Sequence, residues 1–410
     1  MTHVDQAALV RLRRELHAEP EIGLALPRTQ RRLLDEIADL PLEVSLGAAS
    51  SSITAVLRGT HPERPAQAPA VLLRADMDAL PVSEDPAADP RSAVPGAMHA
   101  CGHDLHMAML VGAVRELSAR RDELRGDVVL MFQPGEEGWG GARLMLDEGV
   151  LDAAGPRVGA AFALHVFTGD PRPARFGVRS GTAMAAAAAL SVRVVGRGGH
   201  GSAPQLASDP VPTAAETILA LQSATTRRFD ALDPVVVTIG EVHAGTARNI
   251  IPDSAELHAT VRSFSHAGQA RAAEVLPAVA RGVAAAHGQE AEVEFRTEFP
   301  PLVNDAENTA TAIAAARARF GADAIEELPH PKTASEDFAE VLAEVPGVFV
   351  FVDATPAAGS GYNHSPQAAY DDAVLGDGAA LAAEFALRRL AELSGADGAP
   401  THPLTRNDRA

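Results

Sequence analysis

Three stretches of this chain are short, continuously apolar and end in polar groups: AVLLRAD (70–76), DVVLMF (127–132) and GAAFALHVF (159–167). A strand with one wet face alternates apolar and polar residues. Runs without a polar face need cover on both sides, as in the interior of an α/β protein. Segments of helical period separate them. After MHACGHDLH (98–106), Met107, Leu110, Val114 and Leu117 share one helical face, and a shorter helix is expected at about 141–149. Upstream, residues 5–39 carry a helical pattern broken at Pro20, and a further strand is expected at 52–58. This alternation predicts an α/β fold, a mixed and largely parallel sheet flanked by helices.

Near Gly181 the texture changes. Alternating strands are expected at 188–195, 235–242, 254–262 and 290–297, with helices at 211–224 and 268–287, the second interrupted by Pro277. The order βαββαβ predicts an inserted ferredoxin-like domain. The chain then reads as residues 1–183, the first part of one domain; 184–299, the insertion; 300–394, the second part of the first domain; and 395–410, a disordered tail. At 410 residues two domains are affordable in core size. A single cysteine forms no internal disulfide and favours the cytoplasm. The N-terminal stretch lacks the apolar core of a signal peptide, and no run approaches a membrane span. A net charge of −19 disfavours nucleic acid as a partner.

Several strand ends carry metal-competent side chains. AVLLRAD runs into Asp76 and Asp78, DVVLMF leads to Glu136 and Glu137 in QPGEEGWGG, GAAFAL leads to His165, and His364 follows the strand VPGVFVFVD in YNHSP. In MHACGHDLH, Cys101 stands two residues from His103, with His99, Asp104 and His106 close by. Thiolate and imidazole together suit a borderline-soft ion such as zinc. Open α/β sheets bind ligands at the carboxyl ends of their strands. Each feature also has a plain explanation: a buried thiol, a solvated glutamate pair, a hydrogen-bonded histidine, an aspartate capping a turn. Taken jointly, one cysteine, three histidines and one glutamate are too many donors for one tetrahedral zinc. They suffice for two metals sharing a bridge, which leaves the second glutamate for base chemistry.

In order along the chain stand RRELHAEPE, LRADMDALPV, MHACGHDLH, FQPGEEG, ALHV, GRGGHGSAP, RNIIPDSAEL, ASEDF and NHSP. By these, from Leu12 to about Leu393, the chain resembles the metal-dependent amidohydrolase and peptidase family of aminoacylases, hippurate hydrolase and plant auxin-conjugate hydrolases, relatives of carboxypeptidase G. The resemblance implies Cys101, His103, Glu137, His165 and His364 as metal ligands, with Cys101 bridging where relatives use aspartate. Asp76 stands where those relatives place a histidine ligand, and Asp78 orients the ligands from behind. Glu136 is the implied general base. His200 and Asn249 are implied to reach the substrate and stabilise the oxyanion, the histidine in many relatives coming from a partner subunit. Arg262 is implied to hold the substrate carboxylate, which its fork suits. A turn histidine and an exposed strand arginine are the other readings of His200 and Arg262. Gly135 departs from the usual alanine, and Ser335, Glu336 and Asp337 are expected only to shape the pocket.

The expected function is metal-dependent hydrolysis of the amide bond of N-acyl amino acids, with metal-activated water and Glu136 as base. A dipeptidase or carboxypeptidase on the same dinuclear scaffold is the alternative; no dedicated carboxylate for a free α-amine is visible, which favours acyl substrates. The expected cofactors are two divalent ions, zinc or manganese foremost, with cobalt or nickel compatible. The insertion is expected to act as a lid and to build a homodimer or higher homo-oligomer, with neither nucleic acid nor membrane as partner. A binding protein that had kept only the fold would have lost a ligand or the base, and none is lost. An acidic scaffold using the insertion only to dimerise predicts no metal.

Overall fold

In the computed structural model, which describes residues 5–395, the apolar runs are strands of one sheet. The expected tail lies outside the described residues from position 396 onward. The chain begins with α1 (Gln6–Ala18), α2 (Pro27–Ile37), β1 (Leu42–Leu46), β2 (Ile53–Leu57), β3 (Ala70–Asp76) and α3 (His103–Ala119). It continues through β4 (Asp127–Gln133), α4 (Gly141–Asp147), β5 (Ala160–Phe167), β6 (Phe176–Val178) and β7 (Gly181–Met184). Next come β8 (Ala186–Val195), β9 (Gly199–His200), α5 (Pro210–Arg227), β10 (Val235–Ala244), β11 (Ile250–Ile251) and β12 (Ser254–Ser263). Then follow α6 (His266–Ala286), β13 (Glu290–Phe299), β14 (Leu302–Asn304), α7 (Ala306–Phe320) and β15 (Ile325–Glu327). The last are α8 (Phe338–Glu344), β16 (Gly347–Asp353) and α9 (Leu375–Leu393). By contacts the chain divides into one unit of residues 1–181, 304–329 and 340–410 and a second of residues 182–303 and 330–339.

The first unit holds an eight-stranded sheet in the order β1-β2-β4-β3-β5-β16-β6-β15. Its centre, β4, β3, β5 and β16, is parallel, while β1 and β2 join antiparallel at one side and β6 runs antiparallel to β16 at the other, with β15 parallel to β6. Strands β3, β4 and β5 are buried end to end, which is why their sequences show no alternation. Edge strand β1 escapes detection for the opposite reason: Val44 and Leu46 alternate but stay exposed. Helix α3 was expected to bury one face, yet all but three of its seventeen residues are buried. It runs through the centre because glycines let its neighbours close in. A Cβ on Gly112 would come within 2.8 Å of Ala379 on α9.

In the second unit, β10-β12-β8-β13 form one antiparallel sheet, with α5 and α6 between the strands in βαββαβ order. Leu190, Val192, Val194, Leu257 and Val261 form its core with Leu221 of α5 and Leu276 of α6. Pro277 does not interrupt α6, contrary to the expectation from its ring. The helix runs through it from His266 to Ala286 with Pro277 buried. The carbonyl that loses its donor belongs to Ala273, an exposed residue, so water can replace the missing bond.

Candidate metal centre

The parallel strands end on one side, and the polar residues named above gather there. Asp76 closes β3, Glu136 and Glu137 follow β4, and His165 lies near the end of β5. The turn that precedes α3 brings Cys101, and Gly102 enters the helix in the left-handed conformation, φ 83°. His364 arrives from the loop after β16, held by its own N–H on the carbonyl of Ala100, 2.8 Å. It is the one non-glycine residue among those described with positive φ, 69°, a conformation that a plain loop histidine does not need.

The donors form two triads that share Cys101: Cys101, His103 and His165, all buried, and Cys101, Glu137 and His364, nearer the surface. Within each triad the ligand atoms lie within 4.8 Å of one another. Cys101 Sγ stands 3.4 Å from His165 Nε2 and 3.1 Å from His364 Nε2, and His364 Nε2 stands 3.3 Å from Glu137 Oε1. Glu136 Oε2 lies 4.0 Å from His103 Nε2 and is nearly buried.

Hydrogen bonds decide which histidine nitrogens face these donors. His103 Nδ1 gives its proton to the carbonyl of Asp78, 2.8 Å, and His165 Nδ1 gives its proton to the carbonyl of Val166, 2.8 Å. Both Nε2 lone pairs are thereby directed to the triads. His106, one turn along α3, is spent otherwise. Its Nδ1 donates to Asp76 Oδ1 at 2.6 Å and its Nε2 accepts from Val166 N at 2.8 Å. Asp76, whose other oxygen accepts from Arg74 at 2.6 Å, supports this histidine. Asp78 holds more than His103: its two carboxylate oxygens accept from the backbone N–H of Glu136, 2.9 Å, and of Glu137, 3.1 Å.

Charge at the site favours a cation. Burial would raise the carboxyl of Asp76, but His103, His106 and Arg74 hold it well below its usual range. Burial and the Glu137 carboxylate push the Cys101 thiol up. Burial and the nearby His106 hold His165 well below its usual range, the neutral form that metal binding would require. Hydrogen bonds to Cys101 and Glu137 raise His364 to about 10. Protons on these groups and a divalent ion answer the same excess of negative charge. His103 Nε2 is moreover buried without a hydrogen-bond partner. Such an atom is costly unless something binds it, and the donor set fits a metal.

Sequence reasoning missed Asn363. Its Nδ2 donates to the carbonyl of Val166 at 3.0 Å and its Oδ1 accepts from Thr168 N at 3.0 Å, so it bolts the His364 loop to the end of β5. Its place beside His364 in YNHSP was the available signal. Tyr370 likewise fixes the Cys101 turn through its hydroxyl, which donates to the carbonyl of Ala100 at 2.8 Å.

In the second unit, β9 and β11 pair as a ribbon that sets His200 opposite Ile250 and beside Asn249. Gly201 N donates to the carbonyl of Asn249 at 2.9 Å, an approach that leaves a Cβ on Gly201 only 3.1 Å from that backbone. Both His200 and Asn249 are exposed. Ser202 N donates to His200 Nδ1 at 3.1 Å, which puts the imidazole proton on Nε2 and makes that edge a donor. Arg262 lies on β12 in register with Ala187 and Val236, and its guanidinium donates to Thr260 Oγ1 and the carbonyl of Val261.

Comparison with known proteins agrees with this architecture. The chain is 33% identical to thermostable carboxypeptidase 2 of Saccharolobus solfataricus over 93% of its own length and 95% of that protein. It is 35% identical to the IAA-amino acid hydrolase ILR1-like 4 of Arabidopsis thaliana, over 94% of this chain and 86% of the other. A Bacillus subtilis protein solved as a dinuclear metal binding peptidase from the M20 family superposes with a TM-score of 0.80 at 31% identity, over 94% of this chain and 98% of that one. The profile of peptidase family M20/M25/M40 matches residues 72–388, and the chain belongs to that family.

Proposed function

We propose that this chain hydrolyses the amide bond of N-acyl amino acids at a centre of two divalent metal ions, with Glu136 as general base. The observation that carries the reading is the pair of donor triads meeting at Cys101, with Glu136 within reach of His103. Cys101, His103 and His165 would hold one ion and Cys101, Glu137 and His364 the other. Thiolate and imidazole favour zinc, and manganese, cobalt and nickel accept the same donors. Ions bound there would supply Lewis acidity and make water nucleophilic at neutral pH.

The protein groups do the rest. Glu136 takes the proton of the attacking water and returns it to the leaving amine. Its backbone is tied to Asp78, so its carboxylate can swing between two partners from a fixed point. His200, with its proton on Nε2, and Asn249 serve as donors to the tetrahedral oxyanion. Arg262 receives the carboxylate of the substrate. The relatives named above, a carboxypeptidase and an IAA-amino acid hydrolase, both bear names for cleavage that frees an amino acid.

Residues 184–299 serve as lid and dimerisation insertion in this reading. β10 is an edge strand of its sheet with Val236 and Val242 exposed, an edge suited to pairing with a second copy. No helix among the described residues is long and apolar enough to cross a membrane. The single cysteine, here a ligand, favours the cytoplasm.

One screen tests the function. Metal-stripped protein is reconstituted with zinc, manganese, cobalt or nickel and offered N-acetyl, N-benzoyl and longer N-acyl amino acids beside dipeptides. Metal-dependent turnover of the acyl compounds supports the proposal. A preference for dipeptides moves it to a dipeptidase or carboxypeptidase, and no metal-dependent turnover of either class removes it.

A further inference from the structure

The segment RRELHAEPE lies outside the donor triads, yet two of its side chains converge on the residue next to a ligand. Asp104 follows His103 in the first turn of α3 and is fully buried. Its Oδ2 accepts from His17 Nδ1 at 2.8 Å and lies 2.9 Å from Arg13 Nε, both on α1. The far edge of the imidazole, Nε2, donates to Glu84 Oε1 at 2.8 Å. Arg13 and His17 are each only 2% exposed. Both imidazole nitrogens therefore face carboxylates. Burial opposes charge on the ring, but the Asp104 and Glu84 carboxylates outweigh it and raise the imidazole above its usual range.

Successive residues of a helix point about 100° apart, so fixing one side chain fixes the rotation of the turn. The first turn of α3 is held at three places. His103 is held by the carbonyl of Asp78, His106 by Asp76 and Val166 N, and Asp104 by α1. The first two holds come from strand ends of the sheet. Only the third of these comes from another helix, α1.

We propose, on the reading of the metal centre given above, that His17 is a positioning residue, which through its Nδ1 bond to Asp104 sets the rotation of α3 and so aims His103 at the metal. An amide can replace either half of this imidazole. Asparagine places its NH2 where Nδ1 was and keeps the bond to Asp104; glutamine reaches the place of Nε2 and keeps only the bond to Glu84. A cavity of about 240 Å³ runs along Arg13, His17 and Glu84, so both replacements meet space.

The experiment measures zinc affinity of metal-stripped, full-length protein by competition with a chromophoric chelator, together with the thermal midpoint of the stripped protein. His17→Asn is expected to bind zinc nearly as wild type does. His17→Gln is expected to bind about tenfold or more weakly, the usual scale for losing a group behind a metal ligand. The stripped midpoints of the two variants should fall alike. Asp104→Asn, an isosteric check should a His17 variant fail to fold, should weaken zinc binding on the same scale, and adding His17→Gln to it should cost little more. Equal affinity in the two His17 variants, or the reverse order, reduces His17 to packing and overturns the proposal; so does an Asp104→Asn protein that binds zinc normally. A wild-type protein that takes up no zinc, manganese, cobalt or nickel instead overturns the metal centre itself, and the role of His17 with it.

Discussion

The two donor triads share Cys101 and differ in almost everything around it. The deep triad, with His103 and His165, is wholly buried, and both histidines have their outer nitrogens tied to backbone carbonyls. The outer triad uses Glu137, partly exposed, and His364, whose side chain is 53% exposed on a loop held in a left-handed conformation. A ligand fixed by burial and a hydrogen bond loses little freedom on binding metal. One on an exposed loop must be held by strain and by neighbours such as Asn363. The deep position is therefore expected to keep its ion more firmly, and the outer position to be the one that exchanges. Neighbouring Glu136 borders the deep triad through His103, so the proposed base would stand beside the position expected to hold its ion more firmly.

Removing the shared donor should have the largest effect. Cys101→Ala is expected to lose both ions and all measurable turnover. Elemental analysis that still found about two equivalents of metal would mean that the triads do not depend on a common thiolate. Glu136→Gln comes next: both ions stay and turnover falls on the order of 10²–10⁴-fold, since an amide neither takes nor returns a proton. Comparable rates in the two proteins would remove Glu136 from the chemistry and leave the triads untouched. His200→Ala should lower kcat by about 10²–10³-fold, with metal content unchanged and KM moved much less. A change confined to KM would assign His200 to ground-state binding. The smallest effect separates the triads themselves. His364→Ala should reduce metal content from about two equivalents to about one, with the remaining ion resisting chelators as before. Loss of both ions together would show that the positions are one cooperative site, and the contrast between deep and outer would fall.

The sheet was legible because a buried parallel strand cannot hide. AVLLRAD, DVVLMF and GAAFALHVF have no polar face, and their order with helices between them implies parallel pairing. Elements whose apolar residues remain in water were harder: β1 alternates, but Val44 and Leu46 face solvent, so nothing in the pattern marks them as structural. Pro277 misled because a ring that usually breaks a helix can be carried where the orphaned carbonyl belongs to an exposed residue. In the insertion the order of elements was readable. That His200 and Asn249, far apart in sequence, share one ribbon depends on β9 pairing with β11, two strands of only two residues each.

By itself the sequence determined the chemical inventory: one cysteine, the glutamate pair and the histidines at strand ends and turns, in an order that few arrangements of an α/β sheet could keep apart. The tertiary structure decided what each of them does. His103 and His106 are three residues apart on one helix and chemically identical. One turns its bare nitrogen to the triads because Asp78, 25 positions away, takes its other proton. The other has both nitrogens occupied by Asp76 and by Val166, 30 and 60 positions away. An imidazole becomes a ligand only when one nitrogen is left bare, and which nitrogen that is depends on partners that only folding brings within 3 Å.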